Sequence, residues 1–106
     1  MKRALVTGAA GFIGSNLVKR LLAEDWDVVG VDDLSSGNLK LLEGVNGLRL
    51  VINDFASKSI IDAIQAQEFD TVFHLAAIPR VSFSVENPAL TTDVNVGRTV
   101  CLMEAC

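Results

Sequence analysis

The residues whose types and spacing suit a chemical task begin at Thr7-Gly8-Ala9-Ala10-Gly11-Phe12-Ile13-Gly14, where three glycines recur every third position. Gly8 closes an apolar run and can leave it through backbone angles closed to other residues. Gly11 lets an anion approach the backbone, where unpaired amides and a helix dipole favour negative charge. Gly14 permits a following helix to pack tightly. The chemistry is that of holding a phosphate or pyrophosphate. Glycine also marks ordinary turns, so the triplet alone leaves a nucleotide site and a plain turn both open.

Asp32 separates the two. It lies 18 residues past Gly14 at the end of a second apolar run. That is close to the spacing of about 20 expected for a carboxylate that binds the hydroxyls of an adenine ribose. The other reading of Asp32 is a solvated loop acid. An acid at this place repels a 2′-phosphate, and no arginine follows it before Lys40, so the expected dinucleotide is NAD rather than NADP.

These groups require elements to carry them. Arg3 to Thr7 reads as a buried strand, and from Phe12 the residues Ile13, Leu17, Val18, Leu21 and Leu22 recur at helical spacing with Asn16, Lys19, Arg20 and Glu24 opposite. Asp27 to Val31 is a second strand, followed by a polar loop from Asp32 to Asn38 and a single helical turn over Leu39 to Glu43. Leu48 to Ile52 is a third strand. Ser57 or Ser59 is placed to cap a helix carrying Ile60, Ile61 and Ile64, and Ser59 with Asp62 has the spacing of a capping box. Thr71 to Leu75 is the fourth strand, and a last helix is expected from Pro88 to the end.

Strands that alternate with helices and read as continuous apolar runs imply an α/β fold, with a parallel sheet and helices on both faces. Right-handed crossovers give the Rossmann-like order 3-2-1-4. The chain has 106 residues, half of them hydrophobic, which suits one domain and no second. The last helix reaches Glu104-Ala105-Cys106 without glycine, proline or a basic final turn, so the sheet is expected to be truncated.

Thirteen acidic residues against nine basic ones give a net charge of -4, with no stripe of Lys or Arg, which argues against nucleic acid. No apolar run suits a signal peptide or a membrane span, so a cytosolic location is expected. Cys101 and Cys106 are five apart, do not stack on one helical face, and read as free thiols; no metal site is expected.

Four motifs carry a family resemblance: Thr7-Gly8-x-x-Gly11-Phe12-Ile13-Gly14, Val31-Asp32-Asp33-Leu34-Ser35-Ser36-Gly37, His74-Leu75-Ala76-Ala77, and Ser84-Val85-x-x-Pro88 leading to Asp93-Val94-Asn95-Val96. With these the chain resembles the N-terminal part of extended short-chain dehydrogenases/reductases. The resemblance is to the NAD-dependent epimerase/dehydratase group, and within it to UDP-glucose 4-epimerase-like enzymes. It implies that residues 1–106 are the first part of an NAD-binding domain, with the remainder and the substrate domain outside them. Phe12 and Ile13 would present amides to the pyrophosphate, and the stretch from Asp32 to Gly37, with Asp33 and Ser36 in it, would surround the ribose. Asp54 and Phe55 would meet the adenine edge, Leu75, Ala76 and Ala77 would line the cofactor, and Asn95 would lie near it.

Simpler roles stand beside several of these. Asp54 can cap a turn, Asn95 can satisfy backbone groups, Ala76 and Ala77 can be small for packing, and His74 reads as a packed strand-end residue rather than a catalytic one. The family's last helix commonly reads Asn-Val-x-Gly-Thr, whereas this chain has Asn95-Val96-Gly97-Arg98-Thr99, with the glycine shifted by one. The loop from Ile78 to Phe83 lacks the Pro-Arg-Ser order frequent in related epimerases. Arg80 within it reads as an exposed loop residue rather than a substrate ligand.

Family chemistry resembles a hydride shuttle in which the tyrosine of a Tyr-x-x-x-Lys motif removes a hydroxyl proton while nicotinamide takes hydride from the same carbon. The chain has no tyrosine, so no catalytic residue is expected within it. The implied function is the NAD half of a nucleotide-sugar epimerase that becomes complete with its sugar substrate only in a longer parent. The alternatives are a nucleotide-sugar 4,6-dehydratase, a non-catalytic NAD-binding module, and a non-binding remnant. A fourth strand without an outer neighbour would expose an apolar edge, so either self-association into a homo-oligomer or marginal stability is expected.

Overall fold

The computed structural model describes residues 2–35, 37–76, 89 and 93–106, and for 93–95 the backbone only. Four parallel strands, β1 (Arg3–Thr7), β2 (Asp27–Asp32), β3 (Leu48–Ile52) and β4 (Thr71–His74), lie in the order β3-β2-β1-β4. Helix α1 (Phe12–Ala23) joins β1 to β2, and α2 (Lys58–Gln65) joins β3 to β4. A 3-10 turn at Leu39–Leu42 precedes β3, and a π-helical turn at Asp93–Arg98 leads into α3 (Thr99–Ala105).

β1 occupies the centre because its residues are apolar on both faces, and Ala4, Leu5, Val6 and Thr7 are all fully buried. Two cores result. Ala4, Val6, Val18, Leu21 and Val28 pack with α1 on one face of the sheet. Leu5, Val29, Val31, Ile60, Ile64 and Leu102 pack with α2 and α3 on the other. The layered α/β fold and strand order therefore match the sequence expectation.

Several local expectations need correction. Strand two extends to Asp32, because Asp32 pairs in register with Ile52 of β3. Strand four stops at His74, where Leu75 turns its N–H to Thr7 Oγ1 at 3.0 Å. The helical turn expected from Leu39 is present, as a 3-10 turn over Leu39–Leu42, with Asn38 as its cap, accepting from the Lys40 N–H at 3.0 Å. The capping box at Ser59 does not form. Ser57 is the N-cap of α2 without a side-chain cap bond, and Asp62 faces Lys58 at 3.5 Å on the exposed side. Pro88 lies outside the described residues, and the described last helix begins with a π-helical turn at Asp93.

Candidate functional site

The first turn of α1 is open toward the carboxyl ends of the strands. Its N-cap is Gly11, which has no side chain to satisfy the first-turn amides, and helix geometry leaves the N–H groups of Phe12, Ile13 and Gly14 without intrahelical acceptors. The turn itself is fixed from behind. Gly8 has φ of 69°, its N–H donates to Val31 O at 2.9 Å, and its carbonyl accepts from Gly11 N–H at 3.0 Å. A Cβ on Gly14 would lie 2.0 Å from Gly8 O, so the close approach of helix and turn is available to glycine alone.

Asp32 ends β2 beside this turn and is buried. Oδ2 accepts from Ala10 N–H at 2.9 Å and Oδ1 from Leu34 N–H at 2.7 Å. Each carboxylate oxygen thus keeps lone-pair capacity for a further donor. Leu34 has φ of 65°, an uncommon backbone state for a side chain of this size. The loop then folds back, with Asn38 N–H on Ala10 O at 2.9 Å and Gly37 so close that a Cβ there would sit 2.8 Å from Asp32 Oδ2.

A cleft of about 420 Å3 runs along these strand ends. It gathers Gly8, Gly11, Phe12, Ile13, Gly14, Asp32, Asp33, Gly37, Asp54, Phe55, Leu75 and Ala76 from the sequence-derived set. Ser36 and Ala77 lie outside the described residues, and so does the Asn95 side chain. Arg80 lies outside them as well. The cleft also includes Val31 and Ser35, both within the motif around Asp32, together with Asn53, which the sequence reading did not name, and Arg98, to which it gave no binding role. Asn53 flanks Asp54, which was named. The signal for Arg98 was its place in Asn95-Val96-Gly97-Arg98-Thr99, where the family's motif has glycine.

Asp54 does cap a turn, its Oδ1 accepting from Ala56 N–H at 2.8 Å, and its Oδ2 also receives Arg98 Nη1. His74 is a packed strand-end residue. Its ring lies 4.7 Å from Phe55, with Nδ1 2.6 Å from Thr7 Oγ1 and Nε2 2.8 Å from Thr99 Oγ1. Burial holds the imidazole below its ordinary pKa. Among the described residues, no group of His, Cys, Asp and Glu is arranged to hold a metal ion.

A parallel 3-2-1-4 sheet with a glycine turn after β1 and a carboxylate ending β2 defines a Rossmann-type dinucleotide-binding unit. The model of the NAD dependent epimerase/dehydratase family matches residues 4–106, and the chain belongs to that family. UDP-glucose 4-epimerase of Mycolicibacterium smegmatis is 46% identical over 106 residues, covering 97% of this chain and 34% of the relative. A probable dTDP-glucose 4,6-dehydratase of Sinorhizobium fredii is 38% identical over 107 residues, covering 96% of this chain and 31% of that relative. The crystal structure of Thermus thermophilus UDP-glucose 4-epimerase in complex with NAD superposes with a TM-score of 0.79 at 36% identity, covering 98% of this chain and 33% of that one. The chain therefore spans about a third of the length of the relatives it matches.

Proposed function

We propose that the chain is the NAD-holding portion of a nucleotide-sugar epimerase of the UDP-glucose 4-epimerase kind. The observation that carries this reading is the Asp32 carboxylate, buried, anchored by the Ala10 and Leu34 amides, and set on the same cleft as the open first turn of α1. The cleft fits the cofactor group by group. The amides of Phe12 and Ile13 suit a pyrophosphate, and the two anchored oxygens of Asp32 suit a vicinal pair of ribose hydroxyls. Asp33 and Gly37 complete the ribose side, and for Ser36 a role there is proposed from the family resemblance alone. Leu75 and Ala76 belong to the wall that follows the cofactor toward β4, and for Ala77 and Asn95 a cofactor role is proposed from the family resemblance alone.

When bound, NAD would supply reversible acceptance of hydride from a sugar carbon. The chain's own part is to hold and orient the cofactor. The proton-removing tyrosine is not among the 106 residues, so in this reading it belongs to a longer protein of which they are part. The relationship to a probable dTDP-glucose 4,6-dehydratase supports a second reading, since the same NAD half would serve either reaction. A nucleotide sugar is the proposed substrate of the whole protein, a second copy of the chain its proposed partner, and the cytosol its proposed location. Among the described residues no helix is long and apolar enough to cross a membrane.

Calorimetric titration of the chain with NAD tests this reading. One saturable site that is lost in Asp32→Ala supports it; absence of binding to the unaltered chain overturns it and leaves the non-binding alternative.

A further inference from the structure

Three carboxylates, those of Asp32, Asp33 and Asp54, line the cleft, and Arg98 is the one basic residue among the described lining residues. A dinucleotide adds a doubly negative pyrophosphate to that surface, so a cation there has electrostatic work to do. Its place is specific. Arg98, at the end of the π-helical turn before α3, crosses to the segment after β3 and meets Asp54 Oδ2. The two side chains are 29% and 32% exposed, so the pair is shielded from full solvent screening.

The strand order locates the pair along the cleft. Moving outward from the glycine turn after β1, the next strand end carries Asp32 and the one beyond it leads to Asp54. If the glycine turn takes the pyrophosphate and Asp32 the ribose, the group reaching the end of β3 is the base. The family resemblance already sets Asp54 at the adenine edge, and we propose that Arg98 is the positioning residue that holds its carboxylate as an acceptor for the exocyclic amine; the assignment rests on the NAD reading above.

A carboxylate accepts about four hydrogen bonds. Ala56 N–H and Arg98 occupy one oxygen each of Asp54, which fixes the plane of the carboxylate and leaves capacity on both oxygens for a further donor. Adenine offers an N–H donor at its six position. Hypoxanthine offers a carbonyl oxygen there, which a fixed carboxylate repels. Arg98 also offsets the Asp54 charge, so the base end accepts a ligand that is already anionic.

The test compares NAD with nicotinamide hypoxanthine dinucleotide by calorimetry on the chain. The unaltered chain is expected to bind NAD about tenfold more tightly than the hypoxanthine analogue, the worth of one hydrogen bond to a charged acceptor. Arg98→Met weakens NAD binding and brings the ratio near one, while Arg98→Lys, which keeps a cation without the planar fork, retains part of the ratio. Asp54→Asn also removes the preference, and combining it with Arg98→Met adds little further.

A ratio unchanged in Arg98→Met, with both affinities falling together, overturns the proposal and leaves Arg98 a general charge or packing role. If Arg98→Met does not fold, the unaltered chain and Asp54→Asn decide: a ratio near one in the unaltered chain, or one unmoved in Asp54→Asn, overturns it. Binding without base discrimination overturns this assignment alone, whereas no NAD binding at all overturns the NAD reading and this assignment with it.

Discussion

Thr7 Oγ1 lies 2.6 Å from His74 Nδ1, and the same hydroxyl oxygen accepts the N–H groups of Leu75 at 3.0 Å and Ala76 at 3.2 Å. With Ala76 N–H on one lone pair and Leu75 N–H shared between the other and the Thr7 carbonyl oxygen at 3.3 Å, we assign the Thr7 hydroxyl as the donor to Nδ1. His74 is therefore the Nε2–H tautomer and donates to Thr99 Oγ1 at 2.8 Å. In this assignment the imidazole ties the ends of β1 and β4 to α3 in its neutral form, and a proton on Nδ1 would face the Thr7 donor.

This arrangement predicts acid lability. Burial lowers the folded-state pKa of His74 below 6.5, so between the two values the unfolded chain binds more protons than the folded one. The stabilisation is fully present above the unfolded value and is lost as pH falls below it. Urea midpoints should therefore drop between about pH 7.5 and about pH 5.5, and the drop should shrink in His74→Asn. Equal pH dependence in both proteins contradicts the assignment, as would imidazole nitrogen shifts showing a proton on Nδ1 at neutral pH.

Gly14→Ala should be among the most damaging single methyl additions to the chain. The new Cβ would meet the backbone of Gly8 and Ala9, with Gly8 O at 2.0 Å and Ala9 Cα at 3.1 Å, and none of these atoms can swing away as a side chain would. A loss of about 3 kcal/mol or more is expected in urea unfolding, together with loss of NAD binding. A loss below about 1 kcal/mol would show that helix and turn separate easily, contrary to the packing described.

Legibility in the sequence followed the range of the interactions. The glycine turn, α1 and the pairing of β2 with its terminal acid depend on neighbours within one strand-helix-strand unit, so Gly8 to Gly14 and Asp32 could be read from spacing. Ser57 over Ser59 as the cap of α2 was not decidable, since both types cap well and only the entry angle of the chain selects between them. Arg98 was missed because its partner Asp54 is 44 residues away, and because helical periodicity gives no warning of a π-helical turn. The role of Thr7 was hidden for the same reason, as its partners lie 67 to 69 residues on.

The edge of the sheet predicts association. β4 pairs with β1 on one side and has no further strand among the described residues, while Leu75 at its end is 40% exposed. Sedimentation of the isolated chain at micromolar concentration should show mass above the monomer that falls on dilution. A monomer that unfolds cooperatively at the same concentration would contradict a consequential open edge.

The central claim is that Asp32 and the glycine turn together hold NAD, and it is tested most directly by titrating NAD into the chain and into Asp32→Asn. That substitution keeps the size of the side chain but turns an N–H donor toward one of the two amides that now donate to it. The account predicts one saturable site in the unaltered chain, with NADP binding far more weakly, and affinity for NAD reduced about a hundredfold or more in folded Asp32→Asn. Equal affinity for NAD in the two proteins, or no binding to the unaltered chain, would contradict it.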